Sequence, residues 1–232
     1  MTSVELSLAV PPESAYRIDQ LRAVLGDDEQ NRAERFRKDI DRHLYITAHA
    51  LTRLALSRHR PAVEPAAWIF VDGQWGRPHP TNPETGDLQV NLSHTRGMTA
   101  VVIADGTDVG VDVEWVRPDE WIYETVDTVF SPDEVESLLT LPEEQRRERF
   151  FLYWTLKEAY IKARGMGVSL PLREISFAHT DGDAVRMELG EPVDDDASAW
   201  SFTMFQPAAD VRGAVAARTD LLEVDVAWPH VA

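Results

Sequence analysis

GVDVE, at residues Gly110–Glu114, is the stretch that decides the fold, because it places two carboxylates on one face of a predicted strand. In a strand, side chains two residues apart point the same way, so Asp112 and Glu114 project together, opposite Val111 and Val113. The same pattern is also typical of a strand whose polar face lies in water. This motif alone therefore does not distinguish a solvent-exposed strand face from a ligand-binding site, and a second element is needed to decide.

That second element is WTLKEAYIK, residues Trp154–Lys162, within a helix predicted from about Pro142 to Arg164. Glu158 and Lys162 are four residues apart, so they are neighbours on one helix face. A simple salt bridge explains this pair, but it gives no reason for the acidic pair on the strand. If strand and helix meet, they form a pocket of hard oxygen ligands beside a fixed cation, which suits Mg²⁺ holding a phosphate ester.

Composition limits the possible classes of protein. The 232 residues, 44% hydrophobic and 27% charged, predict a globular protein of one domain or two small lobes. The absence of cysteine excludes disulfides, thiolate metal sites and a cysteine nucleophile. No apolar run is long enough to cross a bilayer, and the start of the chain lacks the pattern of a secretory signal, so we expect a cytoplasmic protein.

Charge is distributed unevenly along the chain. The net charge of −17 argues against nucleic acid as a partner, because phosphate attraction provides most non-specific affinity there. Basic residues are nevertheless concentrated between Arg17 and Arg60, which favours a small phosphorylated ligand over a polymer. The alternative is that these arginines form the solvated faces of amphipathic helices.

The pattern of the remaining chain predicts a mixed α+β class. A long helix is predicted from Asp27 to Arg60, since the segment contains no Gly or Pro. The segments 98–104 and 109–115 predict an antiparallel hairpin across a turn at Asp105 and Gly106. From residue 175 onwards the chain predicts mainly strands.

Local motifs mark the ends of two later helices. Ser131 is predicted as an N-cap, with Glu134 three residues on completing a capping box. Gly165 and Gly167 are placed to end the helix that carries Glu158.

Two polar positions in the first half of the chain are further candidates. His94 follows Ser93 at a predicted strand end, where functional residues often occur, although a lone histidine there is more often structural. Arg77, between Gly76 and Pro78, lies in a rigid turn that can aim a guanidinium at phosphate oxygens, as can many turns.

In these motifs and their order the chain resembles the 4′-phosphopantetheinyl transferases, specifically the long, monomeric type associated with surfactin synthetase. The segment 35–53 also fits the family's first helix. The matching motifs are Gly76–Pro78, Asn91–His94, Gly110–Glu114, Phe130–Ser131 with Glu134, and Trp154–Lys162 with Gly165 and Gly167.

The resemblance implies an α+β fold of two similar α/β lobes in one chain, related by a pseudo-twofold, with coenzyme A between them. The N-terminal lobe is expected over residues 1–116 and the C-terminal lobe over 117–232. A monomer is expected, without nucleic-acid or membrane partners.

By the same resemblance, Asp112, Glu114 and Glu158 are expected to hold Mg²⁺ on the coenzyme's pyrophosphate. Arg32, His43 and Arg77 are assigned to the 3′-phosphate and adenine end, where Glu29 replaces a basic residue of some members. The full set expected to contact coenzyme A is Arg32, His43, Arg77, Pro78, Ser93, His94, Lys157 and Lys162.

The implied reaction transfers 4′-phosphopantetheine from coenzyme A to a serine of an acyl or peptidyl carrier protein and releases adenosine 3′,5′-bisphosphate. Such transfer depends on charge neutralisation and in-line positioning. Lys162 and His94 are expected to supply charge, Glu158 is the first candidate for the base, and Glu134 is the second. The carrier protein is expected to form a short interface with this chain, contacting apolar residues in the 116–130 region and local arginines.

Two other classes stay open on the residues alone. A different Mg²⁺-dependent phosphate-ester hydrolase would use the same carboxylates and would release free phosphopantetheine without a carrier. A non-catalytic binding module would show no Mg²⁺-dependent binding of coenzyme A.

Overall fold

The computed structural model describes residues 2–12, 15–73, 78–117, 122–167, 170–179, 185–220 and 222–227. These residues combine helices with antiparallel sheets, which confirms the α+β class. The helices are α1 Ala15–Arg22, α2 Asp27–Ala33, α3 Asp39–His59, α4 Ile122–Val129, α5 Pro132–Thr140 and α6 Glu143–Arg164. The strands are β1 Thr2–Ala9, β2 Phe70–Asp72, β3 Pro78–Pro80, β4 Leu88–Thr95, β5 Met98–Asp105, β6 Val109–Trp115, β7 Ile175–His179, β8 Val185–Leu189, β9 Ser201–Ala208, β10 Val211–Ala217 and β11 Leu222–Ala227.

The chain forms two compact units. The N-terminal unit comprises Ser3–Thr107 with Val224–Ala232, and the C-terminal unit comprises Asp108–Glu223 with Met1–Thr2. The boundary expected at residues 116 and 117 differs from this division. The reason is that β6, which carries the acidic motif, pairs with β10 along its whole length and so belongs to the C-terminal unit.

The N-terminal unit is built on a four-stranded sheet in the order β11-β1-β5-β4. Helix α3 packs on this sheet through an apolar face that includes Leu51 and Leu56, which meet Val90, Val101 and Ile103 of the sheet in one buried cluster. A second cluster joins α1 and α2 to the other side of α3. Burial of this apolar surface is the main stabilising contribution to the unit.

The single helix predicted from Asp27 to Arg60 is wrong, because the structure has α2 and α3 with a break at residues 34–38. The break lets the Phe36 ring pack on Tyr45, with ring centroids 5.2 Å apart. Arg42 Nη2 then donates to the carbonyl oxygen of Phe36 at 2.8 Å. Tertiary packing therefore overrides a locally favourable helix sequence.

The C-terminal unit contains a three-stranded sheet in the order β6-β10-β9, with α6 packed across β6 and β10. Helix α6 ends at Gly165, whose φ of 61° is the left-handed conformation expected of a glycine cap. Ser131 and Glu134 form the predicted capping box at the start of α5. Both helix-end predictions are therefore confirmed.

The predicted hairpin between segments 98–104 and 109–115 is wrong. Gly106 does turn the chain, with φ of 64°. However, β5 pairs with β1 on one edge and β4 on the other, so neither edge is left for β6. Strand β6 pairs with β10 instead.

Within the described residues, no helix combines the length and apolar character needed to span a membrane.

Candidate active site

Gly110 allows α6 to approach β6 closely. A Cβ atom at this position would collide with the carbonyl oxygen of Ala159 and the amide nitrogen of Ala163, and would lie 3.0 Å from Ala163 Cα. These are backbone atoms of α6, which cannot rotate away as a flexible side chain can. The small residues Gly110, Ala159 and Ala163 thus allow a short distance between β6 and α6. Asp112 and Glu114 lie on the same face of β6 as Gly110.

The close approach brings Asp112 and Lys162 together. Lys162 Nζ donates to Asp112 Oδ1 at 2.6 Å. The Asp112 side chain is only 5% exposed, whereas the Lys162 side chain is 27% exposed. The alternative of a strand with its polar face in water is therefore wrong for Asp112, which is buried against a cation of α6.

Glu114 lies two residues further along the same strand and is half-buried. Its pKa is raised to about 7, chiefly by burial and then by the negative charge of Asp112. The charges of Arg117 and Lys162 and a hydrogen bond with the Trp154 side chain oppose this rise. Since an indole nitrogen can only donate, Trp154 is the donor in that bond.

Glu158 completes the carboxylate cluster from the helix side. The segment of α6 from Phe150 to Ala163 is mostly buried, but Trp154, Glu158 and Lys162 keep partial exposure at successive i,i+4 positions. Burial, followed by the charge of Asp112, raises the pKa of Glu158, and the charge of Lys162 opposes the rise. The charge of Asp112 thus acts on both glutamates.

The donor set fits a hard divalent cation in charge and chemistry. Asp112, Glu114 and Glu158 supply oxygen ligands of the kind that Mg²⁺ prefers. The pKa values of both glutamates are raised first by burial and then by the charge of Asp112, and a bound cation would counter both effects. Nevertheless, across the described ranges no three Asp, Glu or His side chains are gathered as a ready-made metal site. Asp112 instead contacts Lys162.

Glu134 and Lys157 do not contribute to this cluster. Lys157 Nζ lies 2.7 Å from Glu134 Oε2, and the two side chains are 1% and 0% exposed. Both are held by backbone groups of neighbouring elements. This geometry differs from the expectation that Lys157 contacts coenzyme A and that Glu134 is the second candidate for the base, because both side chains are buried and paired with each other.

The remaining expected contacts belong to the N-terminal unit. Ser93 is buried and His94 is exposed near the end of β4, where they lie opposite Ala100 and Thr99 of β5. Pro78 begins β3. Arg77 lies outside the described residues.

At the expected phosphate end, Arg32 is exposed on α2, with its guanidinium 5.7 Å from the centre of the Tyr45 ring. His43 is half-buried on α3. The guanidinium of Arg32 is therefore accessible to solvent, as a contact with a phosphate group requires.

Glu29, whose charge was expected to disturb that end, is neutralised within the unit. Arg53 Nε donates to Glu29 Oε2 at 2.7 Å, and His49 Nδ1 lies 2.8 Å from Glu29 Oε1. The amide of Gly26 also donates to Oε2 at 2.9 Å. Its carboxylate is therefore engaged by α3 and the start of α2.

Two residues of the cluster were missed by sequence reasoning. Trp154 acts on Glu114 through a hydrogen bond, and Arg117 acts on it through its charge. The sequence did contain one indication for Trp154, because its i,i+4 spacing from Glu158 places both side chains on the same face of the helix. Within the 116–130 region expected to contact the carrier, Val126 and Phe130 are 6% and 0% exposed and belong to the core, whereas Val116 and Val129 are half-buried. The carrier contact at this region stays a prediction.

Comparison with known proteins gives consistent matches. The family model "4'-phosphopantetheinyl transferase superfamily" matches residues 108–217. The 4′-phosphopantetheinyl transferase HetI of Nostoc sp. is 33% identical over 207 residues, covering 88% of this chain and 82% of HetI. A 4′-phosphopantetheinyl transferase of Bacillus subtilis is 30% identical over 181 residues, covering 77% of each chain. Among solved structures, a Chronobacterium ammoniagenes ACPS–CoA complex matches with 21% identity and a TM-score of 0.38, covering 49% of this chain and 96% of that chain.

Proposed function

Since the chain belongs to the 4′-phosphopantetheinyl transferase superfamily and is therefore a transferase, we propose that it moves the 4′-phosphopantetheine group of coenzyme A to a serine of an acyl or peptidyl carrier protein. The observation that carries this proposal is the cluster of Asp112, Glu114, Glu158 and Lys162, which lies within the segment that the family model matches. Adenosine 3′,5′-bisphosphate is the second product.

The reaction breaks one phosphorus–oxygen bond and forms another. The serine oxygen attacks the phosphorus attached to pantetheine, the bond to the bridging oxygen breaks, and adenosine 3′,5′-bisphosphate leaves. Phosphoryl transfer of this kind needs little covalent help from a protein and depends on positioning and charge.

Asp112, Glu114 and Glu158 are the residues that would hold Mg²⁺, which when bound supplies charge neutralisation at the pyrophosphate. The chain's own cation beside this position is Lys162, whose ammonium is suited to phosphate oxygens. We propose that Ser93 and His94 also contact the phosphates, as the family resemblance implies.

Glu158 is the residue that we propose to accept the serine proton, directly or through one water. Its partial exposure leaves the carboxylate accessible to a hydroxyl group or a water molecule. Glu134 is not proposed for this role, because its carboxylate is buried against Lys157.

The test is to incubate the protein with apo-carrier proteins, coenzyme A and Mg²⁺ and to measure the intact mass of each carrier. The expected result is a gain of one phosphopantetheine that a serine-to-alanine carrier does not show. Release of free phosphopantetheine without a carrier would instead support a hydrolase. Glu158→Gln is expected to lose turnover, and a variant that kept both metal affinity and full turnover would exclude Glu158 as the base.

The 3′-phosphate end is tested separately with Arg32→Gln. We expect this change to weaken binding of coenzyme A but not of dephospho-coenzyme A, which lacks the 3′-phosphate. Equal effects on the two ligands would exclude Arg32 as a 3′-phosphate contact.

A further inference from the structure

Lys162 and Asp112 make a close contact that competes with the roles proposed for the two residues in the reaction. Lys162 Nζ lies 2.6 Å from Asp112 Oδ1, yet Asp112 is assigned to a metal and Lys162 to phosphate. We propose that Lys162 is the resident counter-ion of the carboxylate cluster, that a divalent cation displaces it from Asp112, and that the displaced ammonium then binds the phosphates of the substrate. This inference rests on the proposed function.

The carboxylate cluster of Asp112, Glu114 and Glu158 needs a positive charge nearby even when no metal ion is bound. Asp112 is 5% exposed, and a buried carboxylate is strongly destabilising unless a positive charge or hydrogen-bond donors compensate it. Lys162 meets this need at Asp112, and its charge also acts on Glu114 and Glu158. The positive charge of Lys162 thus partly compensates the negative charges of all three carboxylates.

Lys162 and a metal ion compete for the Asp112 carboxylate. Mg²⁺ binds carboxylate oxygens at about 2.1 Å and carries two charges. An ammonium held at 2.6 Å from the same Asp112 carboxylate would then lie within a few ångströms of the metal, where like charges repel strongly. Binding of the metal at Asp112 therefore favours departure of Lys162.

The surroundings of Lys162 permit this movement. Its side chain is 27% exposed and ends on a flexible four-carbon stem. Lys157, on the same helix, differs in this respect, because it is 1% exposed and is held by Glu134 and by the carbonyl oxygens of Leu172 and Ile175. Only Lys162 of these two has a route to solvent and to a ligand.

A thermodynamic consequence follows. If metal binding releases the ammonium for phosphate, metal and coenzyme A bind with positive coupling, and by linkage each raises the affinity for the other by the same factor. Removing the ammonium reduces this coupling, because the metal then has no lysine to displace.

The lysine content of the chain makes a direct measurement possible. The chain has three lysines, Lys38, Lys157 and Lys162, of which Lys38 is exposed and Lys157 is buried. Brief amine acetylation followed by peptide mass spectrometry gives the labelling rate of each one. Lys38 and Lys157 serve as internal controls for reagent activity and for unfolding.

With saturating Mg²⁺ and no coenzyme A, we expect labelling of Lys162 to become faster while Lys38 and Lys157 stay unchanged. Adding coenzyme A with Mg²⁺ is expected to slow labelling of Lys162 again. Unchanged or slower labelling with Mg²⁺ alone would overturn the inference, since it would mean that the contact with Asp112 persists.

Metal affinity without coenzyme A provides a second measurement, using electron paramagnetic resonance of free Mn²⁺ as a hard-cation probe. Lys162→Met is expected to lower the Kd for Mn²⁺ roughly tenfold, because a competing positive charge is removed. Lys38→Met is the matched control and is expected to leave the Kd unchanged.

The outcomes separate the two proposals. If Lys162→Met leaves the Kd unchanged or raises it while Asp112→Asn abolishes Mn²⁺ binding, the counter-ion role is overturned but the metal site stands. If neither the wild type nor Lys162→Met binds Mn²⁺, both the counter-ion role and the metal assignment are overturned. Transfer itself is judged independently by the carrier mass gain.

Discussion

Lys157 Nζ lies 2.7 Å from Glu134 Oε2, in an ion pair whose side chains are 1% and 0% exposed. Lys157 also donates to the carbonyl oxygens of Leu172 and Ile175, and Glu134 accepts from the amides of Ser131 and Phe177. The pair therefore joins α5 and α6 to β7. It anchors α6 at the residue directly before Glu158.

Glu134→Gln is expected to destabilise the protein by about 3–5 kcal/mol, because it leaves the Lys157 ammonium buried without a carboxylate. The double variant Glu134→Leu with Lys157→Met is expected to recover only part of this loss. It buries no charge, but it removes the side-chain partners of the Ser131 and Phe177 amides and of the Leu172 and Ile175 carbonyl oxygens. The free energy of unfolding is measured by urea titration at pH 7. Glu136→Gln, at a more accessible position of the same helix, is the control, and equal losses at 134 and 136 would contradict the structural role.

Trp154→Phe is expected to weaken metal binding about tenfold while keeping the fold. The change removes the hydrogen bond to the Glu114 carboxylate, and bonds to charged groups contribute about 1.5–3 kcal/mol. A phenyl ring retains stacking on Phe150, whose ring lies 6.2 Å away. The measurement is the Kd for Mn²⁺.

The matched control for Trp154 is Trp115→Phe. Trp115 Nε1 also donates to a carboxylate, that of Asp210, at 2.9 Å, but Asp210 has no assigned role in the cluster. Its replacement is expected to leave the Kd unchanged, and similar losses in both variants would show that Trp154 has no specific effect on Glu114.

Gly110→Ala is expected to destabilise the C-terminal unit by about 3 kcal/mol or more and to abolish transfer. The added methyl group meets backbone atoms of Ala159 and Ala163, so α6 must move away from β6, which separates Lys162 from Asp112. Thermal unfolding and the carrier mass assay measure the two effects.

Gly165→Ala provides the comparison for Gly110→Ala. Gly165 has φ of +61° but open space where an added Cβ would lie, so only the left-handed backbone is strained, at about 1–2 kcal/mol. A Gly110→Ala protein no less stable than Gly165→Ala would argue against the close contact of β6 and α6.

Glu29 is expected to contribute stability that disappears in acid. Burial acts to raise its pKa, but the hydrogen bonds from His49 and Gly26 and the charges of His49 and Arg53 outweigh it and lower the pKa below 4.5. A carboxyl with a lowered folded-state pKa stabilises the protein above its unfolded pKa and loses that contribution as the pH falls through the folded value.

The wild type is therefore expected to exceed Glu29→Gln in free energy of unfolding at pH 7, and the difference is expected to shrink as the pH is lowered below 4.5. Urea titrations at about pH 7, 5, 4 and 3 measure it. A difference that stays constant over this range would show that the charge of Glu29 makes no contribution.

Local sequence predicted several features correctly because local interactions decide them. The capping box of Ser131 and Glu134 involves residues three apart, and the end of α6 at Gly165 depends on one backbone conformation. By contrast, the break between α2 and α3 depends on packing of Phe36 on Tyr45, and no pattern within residues 27–60 indicates it.

The acidic motif shows the same division between local and tertiary information. The sequence by itself determined that Asp112 and Glu114 share one face of a strand and that Glu158 and Lys162 share one face of a helix, since both follow from backbone periodicity. Only the tertiary structure decided that Gly110 lets these faces meet, that Lys162 contacts Asp112, and that Lys157 and Glu134 form a buried pair instead. The physical reason is that adjacent residues of one helix point in different directions, and which of them meets the strand depends on how the helix packs.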